Sequence, residues 1–129
     1  MQNLKVKTIT KNLKLINEVY KIVEKIPRGR VTTYGAISKI ATEKFKNKKI
    51  KKLITPRMVG RALHINPDPK NIPCHRVVDR NGRLAYNFAF GGWREQKMKL
   101  LAEGIKFKKE MQVDLKKYLM RTKTPIDYS

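Results

Sequence analysis

Thr55-Pro56-Arg57-Met58-Val59-Gly60-Arg61-Ala62-Leu63 reads as the opening of a helix with its own stop and start signals. The Thr55 hydroxyl can cap the first free amides, and Pro56 sits where a missing N–H costs nothing. Met58, Val59, Ala62 and Leu63 then recur on one face. The spacing predicts a helix over 56–65, halted by the rigid loop Asn66-Pro67-Asp68-Pro69. Gly60 costs about 1 kcal/mol relative to alanine inside a helix. A glycine there makes sense where another backbone must come close. Arg57 and Arg61, one turn apart, share a face and would point at that partner. Upstream, Val31-Thr32-Thr33 is β-branched and extended, and Thr33 caps a second helix predicted over roughly 34–42, with Ile37, Ile40 and Ala41 inward. Two such helices in succession form a helix-turn-helix-like unit, with a joint longer than the usual three or four residues. The joint holds six lysines within 43–52. It reads either as a solvated spacer or as an arm contacting phosphate, with Lys48 and Lys49 at its centre.

Toward the N-terminus, residues 1–9 read as a short extended or disordered lead-in. Thr10 is placed to cap a helix over about 11–26, in which Leu13, Ile16, Tyr20 and Val23 form a face widened by Leu15, Val19, Ile22 and Ile26. Pro27-Arg28-Gly29-Arg30 breaks it. Toward the C-terminus, Val77-Val78 is a short strand and Asp79-Arg80-Asn81-Gly82 a turn. Residues 93–103 are predicted helical with Met98, Leu101 and Ala102 inward, closed by Gly104. A short strand is expected over 105–107 and a last helix behind Asp114, with 122–129 a frayed tail. The fold class is mainly α with short strands, in one domain spanning 1–129.

Composition narrows the function. The chain has 129 residues and 31 Lys+Arg against 10 Asp+Glu, a net charge of +21. Such an excess favours a polyanion, and phosphate neutralisation would give salt-dependent affinity for nucleic acid. Lysines outnumber arginines 22 to 9, so a lysine-biased proteome is a second source of the excess. No apolar run approaches the roughly 18 residues that span a bilayer, and Met1-Gln2-Asn3-Leu4-Lys5 has no signal-peptide core. A single cysteine forbids an internal disulfide, and with two histidines it makes a structural zinc site improbable. The expectation is a cytoplasmic monomer with no metal, no cofactor and no membrane partner.

That cysteine lies in Ile72-Pro73-Cys74-His75-Arg76-Val77-Val78, beside one of the two histidines. A thiol reacts as its thiolate, and only about 3% is ionised at neutral pH without help. Read alone, Cys-His is more often a small buried hydrophobe than a nucleophile–base pair. The rest of the chain changes that balance. Pro73-Cys74-His75-Arg76-Val77 is preceded by Asn66-Pro67 and followed by Gly91-Gly92 and Leu100-Leu101-Ala102-Glu103-Gly104. With Gly29-Arg30-Val31-Thr32-Thr33-Tyr34-Gly35-Ala36-Ile37 and Arg57-Met58-Val59-Gly60-Arg61-Ala62-Leu63, these motifs stand in the order of the O6-alkylguanine-DNA alkyltransferase family, which the chain resembles over roughly residues 13–107.

The resemblance implies a winged helix-turn-helix-like catalytic and DNA-binding domain without the N-terminal domain many members carry. Its partner would be double-stranded DNA containing O6-alkylguanine, bound through the helix-turn-helix from the minor groove. The damaged base would rotate into a pocket and pass its alkyl group to Cys74, once per molecule. His75 would take the thiol proton, through a water in the family's manner, and Glu103 would orient His75. Tyr34 matches the tyrosine that donates to the base, and Asn66 the asparagine that buttresses the cysteine loop. Arg57 matches the arginine that fills the gap left by the extruded base. Thr33, Tyr34 and Gly60 complete the implied DNA-contacting set. Arg61 stands where many relatives have a second small residue and would contact phosphate. Lys48 and Lys49 join the set from the charge of the joint, a lysine load unusual for the family. In Arg83-Leu84-Ala85-Tyr86-Asn87-Phe88-Ala89-Phe90 the chain is longer than typical members, and Phe90 replaces a small or hydroxyl residue. That loop walls the alkyl pocket in the family, so pocket size turns on it. Alkyltransferase-like relatives bind the lesion without the cysteine, which leaves a lesion sensor as the alternative. A plain helix-turn-helix DNA-binding protein with an inert Cys74 is the other.

Overall fold

The computed structural model describes residues 2–49 and 52–121, with side chains from Leu13 onward. Three helices form its larger layer: α1 (Gln2–Glu24), α2 (Tyr34–Asn47) and α3 (Pro56–His64). Residues 2–9, expected to be extended or disordered, are helical, and Thr10 lies inside α1. No proline or glycine precedes Pro27, so nothing in that stretch interrupts the helix. Helix α2 outruns its predicted end at 42 because Phe45 continues the buried row of Ile37 and Ala41 at four-residue spacing. Lys44 and Lys46 therefore ride on a helix, not on a loop. Helix α3 matches the reading of its caps: the Thr55 hydroxyl accepts from the Met58 amide at 3.2 Å, and Pro56 occupies the first turn. Thr33 likewise caps α2, accepting from the Ala36 amide at 3.1 Å.

A two-residue strand pair organises the rest. β1 (Thr32–Thr33) runs parallel to β2 (Val77–Val78), with Thr32 opposite Val77 and Thr33 opposite Val78. β1 leads straight into the first residue of α2, and β2 follows directly on the single 3₁₀ turn Cys74–Arg76. Tyr34, the first residue of α2, packs against the main core cluster that also holds Cys74. Val77 packs with α1, α2 and α3, whereas Val31 and Val78 belong to a second apolar cluster with Leu100, Ile105, Val113 and Tyr118. The second cluster is built by α4 (Gly92–Ala102), the hairpin β3 (Phe107–Lys109) and β4 (Gln112–Val113), and the short α5 (Leu115–Tyr118). Asp114 caps α5 through the Lys116 amide at 3.0 Å.

Two expectations fail in this half. The strand expected over 105–107 begins at Phe107, since Ile105 is buried beneath α4 in a non-strand conformation. In α4 the inward residues are Gln96 and Leu100, while Met98 and Leu101 are 62% and 45% exposed and Ala102 is exposed too. A buried glutamine takes the place that hydrophobic spacing assigns to methionine. Leu13, expected on the packed face of α1, is 52% exposed. The tail 122–129 lies outside the described residues. Among the described residues, no helix is long and apolar enough to cross a membrane.

Candidate active site and DNA groove

Cys74 opens the 3₁₀ turn with its side chain packed in the main core, 5% exposed. Its backbone N–H reaches Ile72 O at 2.7 Å, which tightens the chain just before the thiol. Asn66 holds that bend from outside: its amide nitrogen donates to Ile72 O at 2.8 Å, while its oxygen accepts from the Asp68 amide at 2.9 Å. A buried asparagine with both ends committed fixes the loop. Burial pushes the Cys74 thiol above its ordinary value, and the Asn66 side chain pulls back only part of the way.

Beside the thiol lies a charged cluster of three side chains. His75 Nε2 is 2.7 Å from Glu103 Oε2. Arg76 donates through Nε and Nη2 to the same carboxylate at 2.8 to 3.1 Å, and through Nη1 to Ile26 O at 2.7 Å. The Gly29 amide adds a further donor, 3.3 Å from Oε1. Gly29 has φ +81°, the left-handed conformation that brings its N–H onto the carboxylate. Burial alone would raise the Glu103 carboxyl, yet hydrogen bonds from Arg76, His75 and Gly29 outweigh it and hold it at about 2. Burial lowers His75, and the Glu103 contact does not reverse that. An ionised carboxylate only accepts, so a neutral His75 carries its proton on Nε2 and leaves Nδ1 free as an acceptor. The arrangement pairs a protonated thiol with an oriented, unprotonated imidazole.

Tyr34 stands at the N-terminus of α2, with its hydroxyl pushed up to about 12 by burial and then by the charges of Asp79 and Cys74. It remains a donor at any physiological pH. Tyr34 also lines an open groove of about 830 Å³ together with Pro56, Arg57, Gly60, Arg61, His64, Ile65 and Asn87. The α3 face read from sequence, Arg57, Gly60 and Arg61, thus lines that groove. Thr33 is half-buried beneath it as the α2 cap. Lys48 and Lys49 sit elsewhere, at the end of α2, and Lys48 Nζ lies 3.6 Å from the buried Glu18 carboxylate. Cys74 is not among the residues lining the groove.

Residues 83–90 contribute both to the groove, through Asn87, and to the core cluster of the thiol, through Phe88. Phe88 is buried in the Cys74 cluster, Phe90 packs edge-on against it at 5.7 Å between ring centres, and Asn87 faces the groove. Gln96, fully buried, ties this segment to the cysteine turn: it accepts from the Ala85 amide at 2.8 Å and donates to His75 O and Val77 O at 3.2 and 3.0 Å. Sequence reasoning missed Gln96, Asn87 and the role of Arg76. Only Arg76 carried a signal, its place in the Cys-His-Arg run.

The family model of the 6-O-methylguanine DNA methyltransferase DNA-binding domain matches residues 14–105. The chain belongs to this family. Among methyltransferase-family relatives, the DNA base-flipping protein of Escherichia coli (strain K12) is 35% identical over 100 residues, covering 78% of this chain and 69% of that protein. The methylated-DNA–protein-cysteine methyltransferase of Thermococcus gammatolerans is 40% identical over 85 residues, and the match takes in 66% of this chain and 41% of that protein. A solved structure of S. pombe Atl1, in complex with damaged DNA containing O6-carboxymethylguanine, superposes with a TM-score of 0.68 at 25% identity, over 84% of this chain and 96% of that one. The mainly helical fold with small strand pairs is therefore the methyltransferase-family fold, as its motifs implied. The family is one of O6-alkylguanine repair and lesion binding.

Proposed function

We propose that this chain binds duplex DNA along the α3 groove, extrudes an O6-alkylguanine, and takes its alkyl group onto Cys74. The observation that carries this reading is the hydrogen-bonded run from His75 through Glu103 to Arg76 beside the lone thiol, next to Tyr34 on the groove. In the step, His75 Nδ1 receives the Cys74 proton, directly or through a water. The sulfur attacks the alkyl carbon, an S–C bond forms, and the C–O6 bond breaks. The electron pair stays on the guanine, whose developing charge the Tyr34 hydroxyl stabilises by donating a hydrogen bond. The proton held by His75 passes through solvent to the released guanine. The thioether does not reverse, so each molecule acts once. Asn66 keeps the cysteine bend in place through Ile72 O. Arg57, lining the groove, would occupy the stack left by the base and lower a penalty of a few kcal/mol. Arg61 and Gly60 would meet the backbone of the duplex.

A second reading is lesion binding without transfer. One observation favours it: the thiol is 5% exposed and does not line the groove. Intact-protein mass after incubation with a duplex carrying O6-methylguanine separates the two. Transfer adds one methyl to wild type and none to Cys74→Ala. Lesion-selective binding with no added mass would leave the sensor. Equal affinity for damaged and undamaged duplex, with no added mass, would reduce the chain to a general DNA binder.

A further inference from the structure

Arg76 grips Glu103 more extensively than the proposed base does. Its Nε and Nη2 form a fork on the carboxylate, with Nη2 to Oε2 at 2.8 Å, and its Nη1 is pinned to Ile26 O just beyond the end of α1. The guanidinium is therefore held from two sides, and its charge cannot swing away from Glu103. The same Oε2 is the partner of His75 Nε2 at 2.7 Å. A carboxylate with no other cation would draw a proton onto that imidazole, the ordinary outcome of an opposite charge at contact distance. Here the negative charge is already matched.

We propose that Arg76 is a positioning residue that neutralises Glu103, so that His75 is oriented by the carboxylate yet stays an unprotonated imidazole able to accept the Cys74 proton. The charged and titratable groups around His75 agree with this. Glu103 at the end of α4 is the sole anion in contact with the ring among the described residues. Arg76 on the same turn and Lys99 on α4 both oppose a proton there, and Cys74 precedes it in the chain. Arg76 alone of these two cations is hydrogen-bonded to the carboxylate among the described residues, which makes Arg76 the residue to test. The catalytic meaning rests on the transfer reading above, but the charge assignment can be measured without DNA.

The experiment follows the His75 ring by NMR against pH in the full chain, with His64→Gln as the background that removes the other histidine. Arg76→Gln should raise the His75 titration by about one pH unit or more, the size of effect an unmatched neighbouring charge produces. Arg76→Lys, which keeps the charge, should stay closer to wild type. The acid limb of Cys74 alkylation by iodoacetamide should move with the ring. If Arg76→Gln does not fold, Arg76→Met takes its place, with the carboxylate of Glu103 kept, and removal of the guanidinium must again raise the titration. A His75 titration indifferent to removal of the guanidinium would overturn the inference and leave Arg76 a structural tie. A shifted titration with no methyl transfer from the oligonucleotide would keep this inference and remove the transfer reading. Transfer with an unmoved titration would do the reverse.

Discussion

Glu103 and His75 set how the site meets acid. The ordinary value for a glutamate is 4.5, and Glu103 is held at about 2 by donors that outweigh its burial. Its ionised form stabilises the folded chain above 4.5, and that contribution is lost as pH falls toward 2. His75 acts in the same direction at higher pH. Unfolded, it binds a proton near 6.5; folded, burial resists that proton, so stability begins to fall below about 6.5. Thermal midpoints should therefore decline in two stages between about pH 7 and about pH 3. Glu103→Gln should lower the midpoint at neutral pH, by stranding Arg76, and flatten the decline below 4.5. An acid limb as steep in Glu103→Gln as in wild type would place the titrating group elsewhere. Of this cluster, Cys74, His75 and Glu103 were legible as motif members; the fork of Arg76 was not, because hydrogen-bond geometry across 27 residues leaves no local trace.

Helix α3 was legible in full, since Thr55, Pro56 and the apolar period are all local signals. Its one anomaly is Gly60. A Cβ built there meets nothing closer than Tyr34 Cε1 at 4.0 Å, so the free protein has room for a side chain. Gly60→Ala should then stabilise the helix by about 1 kcal/mol and raise the melting midpoint by a few degrees. Affinity for duplex DNA should drop, because the added methyl stands in the groove lining where the backbone of the duplex would come. Parallel melting and fluorescence-anisotropy measurements check both halves. A variant that is more stable and binds equally well would mean that the glycine serves no close approach. Helix α4 is the contrary case. Its buried Gln96 satisfies His75 O, Val77 O and the Ala85 amide, a polar position that periodicity of hydrophobic residues cannot find.

Charge is distributed over the chain rather than confined to the groove. Lys44 and Lys48 both lie against the buried Glu18, at 3.3 and 3.6 Å, so part of the α2 lysine load is taken up by internal pairing. Lys46 and Lys49 are exposed at the same end of α2. Replacing Lys46 and Lys49 by glutamine should reduce the slope of log K against log salt by about 0.9 for each phosphate no longer neutralised. Lys44→Gln should change it less and should destabilise the fold by leaving Glu18 under-paired. Binding isotherms at several salt concentrations distinguish the arm from a spacer: an unchanged slope in the double variant makes the segment a spacer.

Local signals in the sequence determined α3, the Thr33, Thr55 and Asp114 caps, the charge excess and the set of residues that resemble the alkyltransferase motifs. They could do so because capping, proline placement and hydrophobic period act within a few residues. The tertiary structure decided what those residues face. Tyr34 packs against the core cluster that holds Cys74, and the end of α4 delivers Glu103 to His75 and Arg76. It also buried the thiol in the same cluster as Phe88, outside the lining of the groove. Interactions of this kind join positions tens of residues apart, and their energies depend on burial and distance, which no stretch of sequence carries by itself.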